Sequence, residues 1–64
     1  MDRFIVRRRD TDEYICNYYG SMYHDDINYA FIFSEEDEEL KYYINSPDKF
    51  MVYRIEKEDS NGIR

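Results

Sequence analysis

The chain has 64 residues, with 15 acids against 9 bases for a net charge of −6, eight tyrosines, four phenylalanines, one cysteine and one histidine. A chain of this size is one domain, 1–64, that buries roughly 60% of its unfolded surface. Its single cysteine and histidine exclude an internal disulfide framework and a four-ligand zinc site. The acidic balance argues against direct nucleic-acid binding, and no apolar run approaches the roughly 20 residues of a membrane span.

Stability must then come from aromatic packing, each ring burying on the order of 150–250 Å². The expected core is aromatic and shallow, and self-association would help it. Charge is unevenly spread: residues 1–9 carry four arginines and one acid, leaving 14 acids and 5 bases in 10–64. The arginines are expected to pair across a sheet with Glu56, Glu58 or Asp59; a basic anchor on an acidic body is the alternative. No signal-peptide pattern is present, and a lone thiol suits a reducing compartment, so the expected location is the cytoplasm.

In chain order, Arg3-Phe4-Ile5-Val6-Arg7 reads as a strand, apolar and flanked by charge. Asp10-Thr11-Asp12 is a turn, because Asp and Thr side chains compete for local backbone groups. Residues 13–19 read as a second strand forming a hairpin with the first, and Gly20-Ser21 ends it. Residues 22–26 read as a loop. The apolar run Asn28-Tyr29-Ala30-Phe31-Ile32-Phe33 reads as a third strand, towards the middle of the sheet. Ser34 is an N-cap with Asp37 at the third helical position, and the acids after it complement the helix dipole. The helix should run 35–45 until Ser46-Pro47-Asp48 stops it. Residues 50–57 form the last strand, and 58–64 a flexible tail. The expected fold is α+β: one small domain, an antiparallel sheet of three to four strands in the order β-β-β-α-β, covered by one helix.

The chemistry-bearing residues favour binding over catalysis. At about 100° per residue, Leu40, Tyr43 and Ile44 form a buried stripe. Glu35, Glu38 and Tyr42 then fall on the opposite face, with Glu39 at its edge. An exposed tyrosine among carboxylates suits a protein interface; a solvated, well-capped helix start is the plainer reading. Consecutive carboxylates on a helix diverge and cannot share one metal ion. His24-Asp25-Asp26 suggests acid–base chemistry but has no nucleophile with it, so it reads as a loop extending the acidic surface. Asp10-Thr11-Asp12-Glu13 lacks the glycine and distal glutamate of a calcium loop. Cys16 reads as a buried small hydrophobe. The tyrosines could stack bases, but their acidic surroundings point to core and protein contacts. No cofactor is implied.

The segment Asn28 to Glu36, with its Ala30-Phe31-Ile32-Phe33 strand end and capped acidic helix, resembles a layout common in small phage and prophage proteins. Two strands precede it and the strand Phe50-Met51-Val52-Tyr53-Arg54-Ile55-Glu56 follows, so the resemblance covers 3–57. It is one of layout and charge. Among such proteins the anti-CRISPR inhibitors are similar in being tiny, acidic and non-catalytic. The resemblance implies that Glu35, Glu38, Glu39, Asp25 and Asp26 enter a lysine- and arginine-lined channel built for DNA. The basic N-terminal strand departs from that pattern.

The expected function is a non-enzymatic inhibitor that mimics DNA and blocks a basic nucleic-acid-handling protein such as a CRISPR effector nuclease. Its binding residues would be Glu35, Glu38, Glu39, Asp25 and Asp26, with Tyr42 or Tyr23 as the aromatic anchor. The alternatives are a structural or regulatory subunit that self-associates through its sheet edge or aromatic surface, and a small enzyme using His24.

Overall fold

The structure, a computed structural model, describes residues 2–55. β1 (Arg3–Arg8) is the middle strand, with three of the other described strands paired along its two edges. Side-chain alternation turns Phe4 and Val6 to one face and Ile5 and Arg7 to the other. β5 (Phe50–Ile55) pairs antiparallel along one edge, from Arg3↔Ile55 to Arg8↔Phe50. The other edge is shared. β2 (Tyr14–Ile15) meets it at Arg7↔Tyr14, and β4 (Phe33–Ser34) at Arg3↔Ser34 and Phe4↔Phe33. β3 (Tyr23–His24) pairs with β2 at Tyr14↔His24 and Ile15↔Tyr23. A short 3-10 turn (Ile27–Tyr29) precedes β4, and α1 (Glu38–Ile44) lies between β4 and β5. Over the described residues the fold is α+β, an antiparallel sheet of five strands with one α-helix.

The core sits between α1 and the Val6 face of the sheet. Val6, Ile15, Phe33, Leu40 and Tyr43 are buried there, with Phe4, Tyr18, Phe31, Phe50 and Val52 packed around them. It is an aromatic core, as the composition implies. Ring centroids lie 4.8 Å apart for Phe31–Phe33, 5.7 Å for Phe33–Tyr43 and 4.7 Å for Tyr43–Phe50, each pair edge to face. That is the arrangement ring quadrupoles favour. Ile5, on the far face, is also buried, under a shallow hollow bordered by Tyr14, Ile27, Tyr53 and Ile55.

Several expected elements differ, each for a local reason. The strand over 13–19 stops at Ile15, because the Asn17 side chain accepts from the N–H groups of Ser21 and Met22 and folds the chain back. That return makes Tyr23–His24 a strand where the sequence suggests a loop. Over 28–33 only Phe33 enters a strand. Asp26 accepts from Asn28 N–H at 2.9 Å and Tyr29 N–H donates to Asp26 O at 3.0 Å, curling 27–29 into a turn. β4 is accordingly an outer strand, and β1 takes the middle of the sheet. Ile44 is exposed rather than buried, because Tyr43 packs between Phe33 and Phe50 and centres the buried face on Leu40 and Tyr43. Cys16 is half-buried. The expected tail, 58–64, lies outside the described residues.

Candidate functional site

The acidic block divides into a turn and a helix start. Ser34 N–H donates to Asp37 Oδ2 at 2.9 Å, and Asp37 N–H donates back to Ser34 O at 3.1 Å. Glu36 N–H donates to Ser34 Oγ at 3.3 Å. These bonds close residues 34–37 into a turn, so the N-cap is Asp37 and the helix starts at Glu38 rather than Glu35. Asp37 uses its carboxylate backwards, on the turn, and makes no side-chain cap bond to the helix.

Glu35 and Glu36 project from the turn and Glu38 from the first helical turn, all three exposed. Among the described residues no ion pair engages them. Tyr42 follows Glu38 one helical turn on, the i, i+4 spacing that brings side chains together, and is 58% exposed. Its ring rests against Tyr43 at 5.4 Å and Phe50 at 6.2 Å, so it is held at the surface rather than splayed into solvent.

Glu39 is different. It is half-buried, and Tyr43 Oη donates to its Oε2 at 2.5 Å. Burial, then the Glu39 carboxylate, pushes the Tyr43 phenol well above its ordinary range. Gly20 sits against this pair with φ +70°, where an added Cβ would lie 2.5 Å from the Tyr43 hydroxyl. Tyr23 Oη donates to Gly20 O, so Tyr23 and Glu39 meet through the Gly20 loop. Tyr23 is also covered on one side by the Arg8 guanidinium, 4.5 Å from its ring centroid.

Asp25 and Asp26 bond within their own loop. Asp26 caps the 3-10 turn through Asn28 N–H, and Asp25 Oδ1 lies 3.2 Å from His24 Nδ1. That same Nδ1 accepts from Asp26 N–H at 3.0 Å. Nδ1 thus faces both the Asp26 N–H and the Asp25 carboxylate. The ring stacks on Tyr29 with centroids 4.3 Å apart. Burial pushes the Cys16 thiol up, away from the thiolate a nucleophile requires. Among the described residues, no group of three or more His, Cys, Asp or Glu side chains could hold a metal ion. No described helix is long and apolar enough to cross a membrane.

Arg7, Arg8 and Arg9 each find a partner. Arg8 grips Asp10 with two bonds, at 3.1 and 2.8 Å, which holds the Asp10 carboxyl below its ordinary range. Arg7 pairs with Asp12 at 3.7 Å, and Asp12 takes a left-handed φ of 60° in the hairpin turn, a conformation Asp tolerates better than most residues. Arg9 Nε donates to Pro47 O at 2.7 Å. Glu56, Glu58 and Asp59, the partners expected from sequence, lie outside the described residues. Two further surface residues are not among those expected from sequence: Glu36, exposed on the turn, and Tyr19, 80% exposed. Helical spacing marks Tyr42 as outward; no such periodicity distinguishes Tyr19 from its neighbour Tyr18.

No family model, curated protein or solved structure matches the chain.

Proposed function

We propose that this chain is a non-catalytic binding protein that blocks a basic, nucleic-acid-handling protein by occupying the surface on which that protein receives phosphate. The observation that carries the reading is the unengaged set Glu35, Glu36 and Glu38 beside the exposed, ring-supported Tyr42. Carboxylates at a rim steer association and make it salt-sensitive, while a supported aromatic supplies the desolvated contact that dominates interface energy. The raised thiol of Cys16 supplies no activated nucleophile for a small enzyme using His24, which favours binding.

The specific form proposed is a phage-type, anti-CRISPR-like inhibitor acting on a CRISPR effector nuclease in the cytoplasm. Such an effector holds its heteroduplex in a positively charged channel, which a compact acidic domain complements. Glu39, Asp25, Asp26 and Tyr23 belong to this reading as flanking contacts, Glu39 with one oxygen already committed to Tyr43. The test is capture of a purified effector on the immobilised chain, with duplex DNA as competitor. Displacement of the effector by DNA supports the proposal; retention of an effector that still binds DNA normally refutes it.

A further inference from the structure

Among the described residues β5 has a strand partner on one edge only, which is β1. The register determines which backbone groups face the open edge. Arg9 N–H donates to Lys49 O at 3.0 Å, towards β5, whereas Arg8 N–H donates to Glu13 O at 2.8 Å, towards β2. Antiparallel ladders alternate, so Arg7↔Met51, Ile5↔Tyr53 and Arg3↔Ile55 are the hydrogen-bonded pairs. Phe50, Val52 and Arg54 therefore turn their N–H and C=O groups outward. Phe50 N–H is already taken, donating to Ser46 O at 3.1 Å.

The edge strand reads Phe-Met-Val-Tyr-Arg-Ile. It holds no proline, lysine or acid, so most of the features that blunt an exposed edge are absent. Beside it runs an open groove lined by Tyr43, Ile44, Pro47, Phe50 and Val52, with Ile44 about half exposed. An edge of this kind accepts a strand, and β5 is complementary to itself. A two-fold axis normal to the sheet pairs residues of the same face. Centred on Val52, it sets Val52 opposite Val52 of a second copy, Phe50 opposite Arg54 and Met51 opposite Tyr53.

In that register Val52 N–H and C=O bond their counterparts, and each Arg54 N–H meets the free Phe50 C=O across the axis. The one outward N–H without a role, that of Phe50, is the one Ser46 already holds. Across the axis Arg54, whose Nη1 lies 3.4 Å from Asp2 Oδ2 of its own chain, would stand opposite the Phe50 ring, where a cation–aromatic contact is available. Charge does not oppose the union locally. β5 carries one positive charge and no acid, and the acidic turn follows β4, on the opposite edge of β1. We propose that the chain forms a two-fold dimer by antiparallel β5–β5 pairing about Val52, which joins the two sheets into one and leaves both acidic turns open.

The test is sedimentation velocity of the full chain over a concentration series, alongside Val52→Pro. The Val52 N–H faces outward, so proline there removes an intermolecular donor and no bond of the β1–β5 ladder, a position edge strands tolerate. A concentration-dependent dimer that Val52→Pro abolishes, with the far-ultraviolet circular dichroism unchanged, supports the proposal. A chain that stays monomeric at its highest soluble concentration overturns it, as does a dimer that a folded Val52→Pro retains. A second measurement stands if the proline variant does not fold. In a Cys16→Ala background, Met51→Cys mixed with Tyr53→Cys should oxidise to the mixed disulfide in preference to either homodimer, since these residues face each other at a close, non-hydrogen-bonded pair. Homodimers of Tyr53→Cys in preference to the mixed species, or no intermolecular disulfide, would overturn the Val52-centred pairing.

Discussion

Tyr43 Oη donates to Glu39 Oε2 at 2.5 Å across one turn of α1, with Gly20 packed directly against the hydroxyl. This contact separates two kinds of acid within one block. Glu39 is committed to holding the helix against the Gly20 loop, whereas Glu35, Glu36 and Glu38 remain at the surface.

The first prediction concerns that contact. Tyr43→Phe and Glu39→Ala should each cost about 1.5–3 kcal/mol, the range for a hydrogen bond to a charged group. The double variant should cost less than the two together, because the partners share one interaction. Urea denaturation of the four proteins measures the cycle; strictly additive losses would show that the bond contributes nothing.

Tyr43 also predicts an alkaline loss of stability. Its phenol is raised above the ordinary value of 10.0, first by burial and then by Glu39. An unfolded tyrosine therefore releases its proton at a lower pH than the native one, and the unfolded state binds fewer protons in that window. The linkage sign makes stability fall as pH rises above about 10, and leaves this contribution fully present below it. The difference in unfolding free energy between the chain and Tyr43→Phe should shrink over that range. A difference that stays constant would mean the native phenol titrates normally.

Gly20 is required by two independent constraints, a φ of +70° and the 2.5 Å approach of any Cβ to the Tyr43 hydroxyl. Left-handed backbone at a non-glycine residue costs on the order of 1–3 kcal/mol, and the collision also displaces Tyr43 from Glu39. Gly20→Ala should therefore destabilise by at least that much and remove the alkaline effect of Tyr43. Thermal unfolding of Gly20→Ala with and without Tyr43→Phe separates the two contributions.

The cap gives a sharp contrast. Asp37→Ala should cost about 1 kcal/mol, the scale of one hydrogen bond, because its carboxylate closes the turn on Ser34 N–H at 2.9 Å. Ser34→Ala should cost less, its hydroxyl making the longer 3.3 Å bond to Glu36 N–H. Equal losses, or a larger one at Ser34, would favour a helix that starts at Glu35.

This contrast shows what the sequence carries and what it hides. β1 and β5 are legible because apolar residues bounded by charge mark them, and Leu40 and Tyr43 because helical spacing places them together. The helix starts three residues later than the sequence suggests because Ser34 and Asp37 can both cap. The choice depends on the Ser34–Asp37 bonds, which form only once the chain turns out of β4. Asn28 and Tyr29 look like strand residues, but Asp26 captures the Asn28 N–H and curls the segment. Tyr23 and His24 form a strand although both are exposed, so no hydrophobic alternation announces them; the Asn17 side chain that reverses the chain does. At the candidate site, Tyr42 and Glu38 are where helical geometry puts them; Glu39 and Tyr43 also stand one helical turn apart, but the packing of Gly20 against their hydrogen bond is a contact between elements that spacing does not encode.

The central claim rests on Glu35, Glu36 and Glu38, whose exposed side chains carry little of the fold. Glu35→Gln, Glu36→Gln and Glu38→Gln combined should change unfolding free energy by less than about 0.5 kcal/mol, as surface substitutions do. The most direct measurement is the affinity of this triple variant and of the unchanged chain for a captured CRISPR effector nuclease across a series of salt concentrations. The account predicts weaker binding at low salt and a flatter salt dependence for the variant, the two proteins converging as salt screens the charges. Identical affinities and identical salt dependence would contradict it.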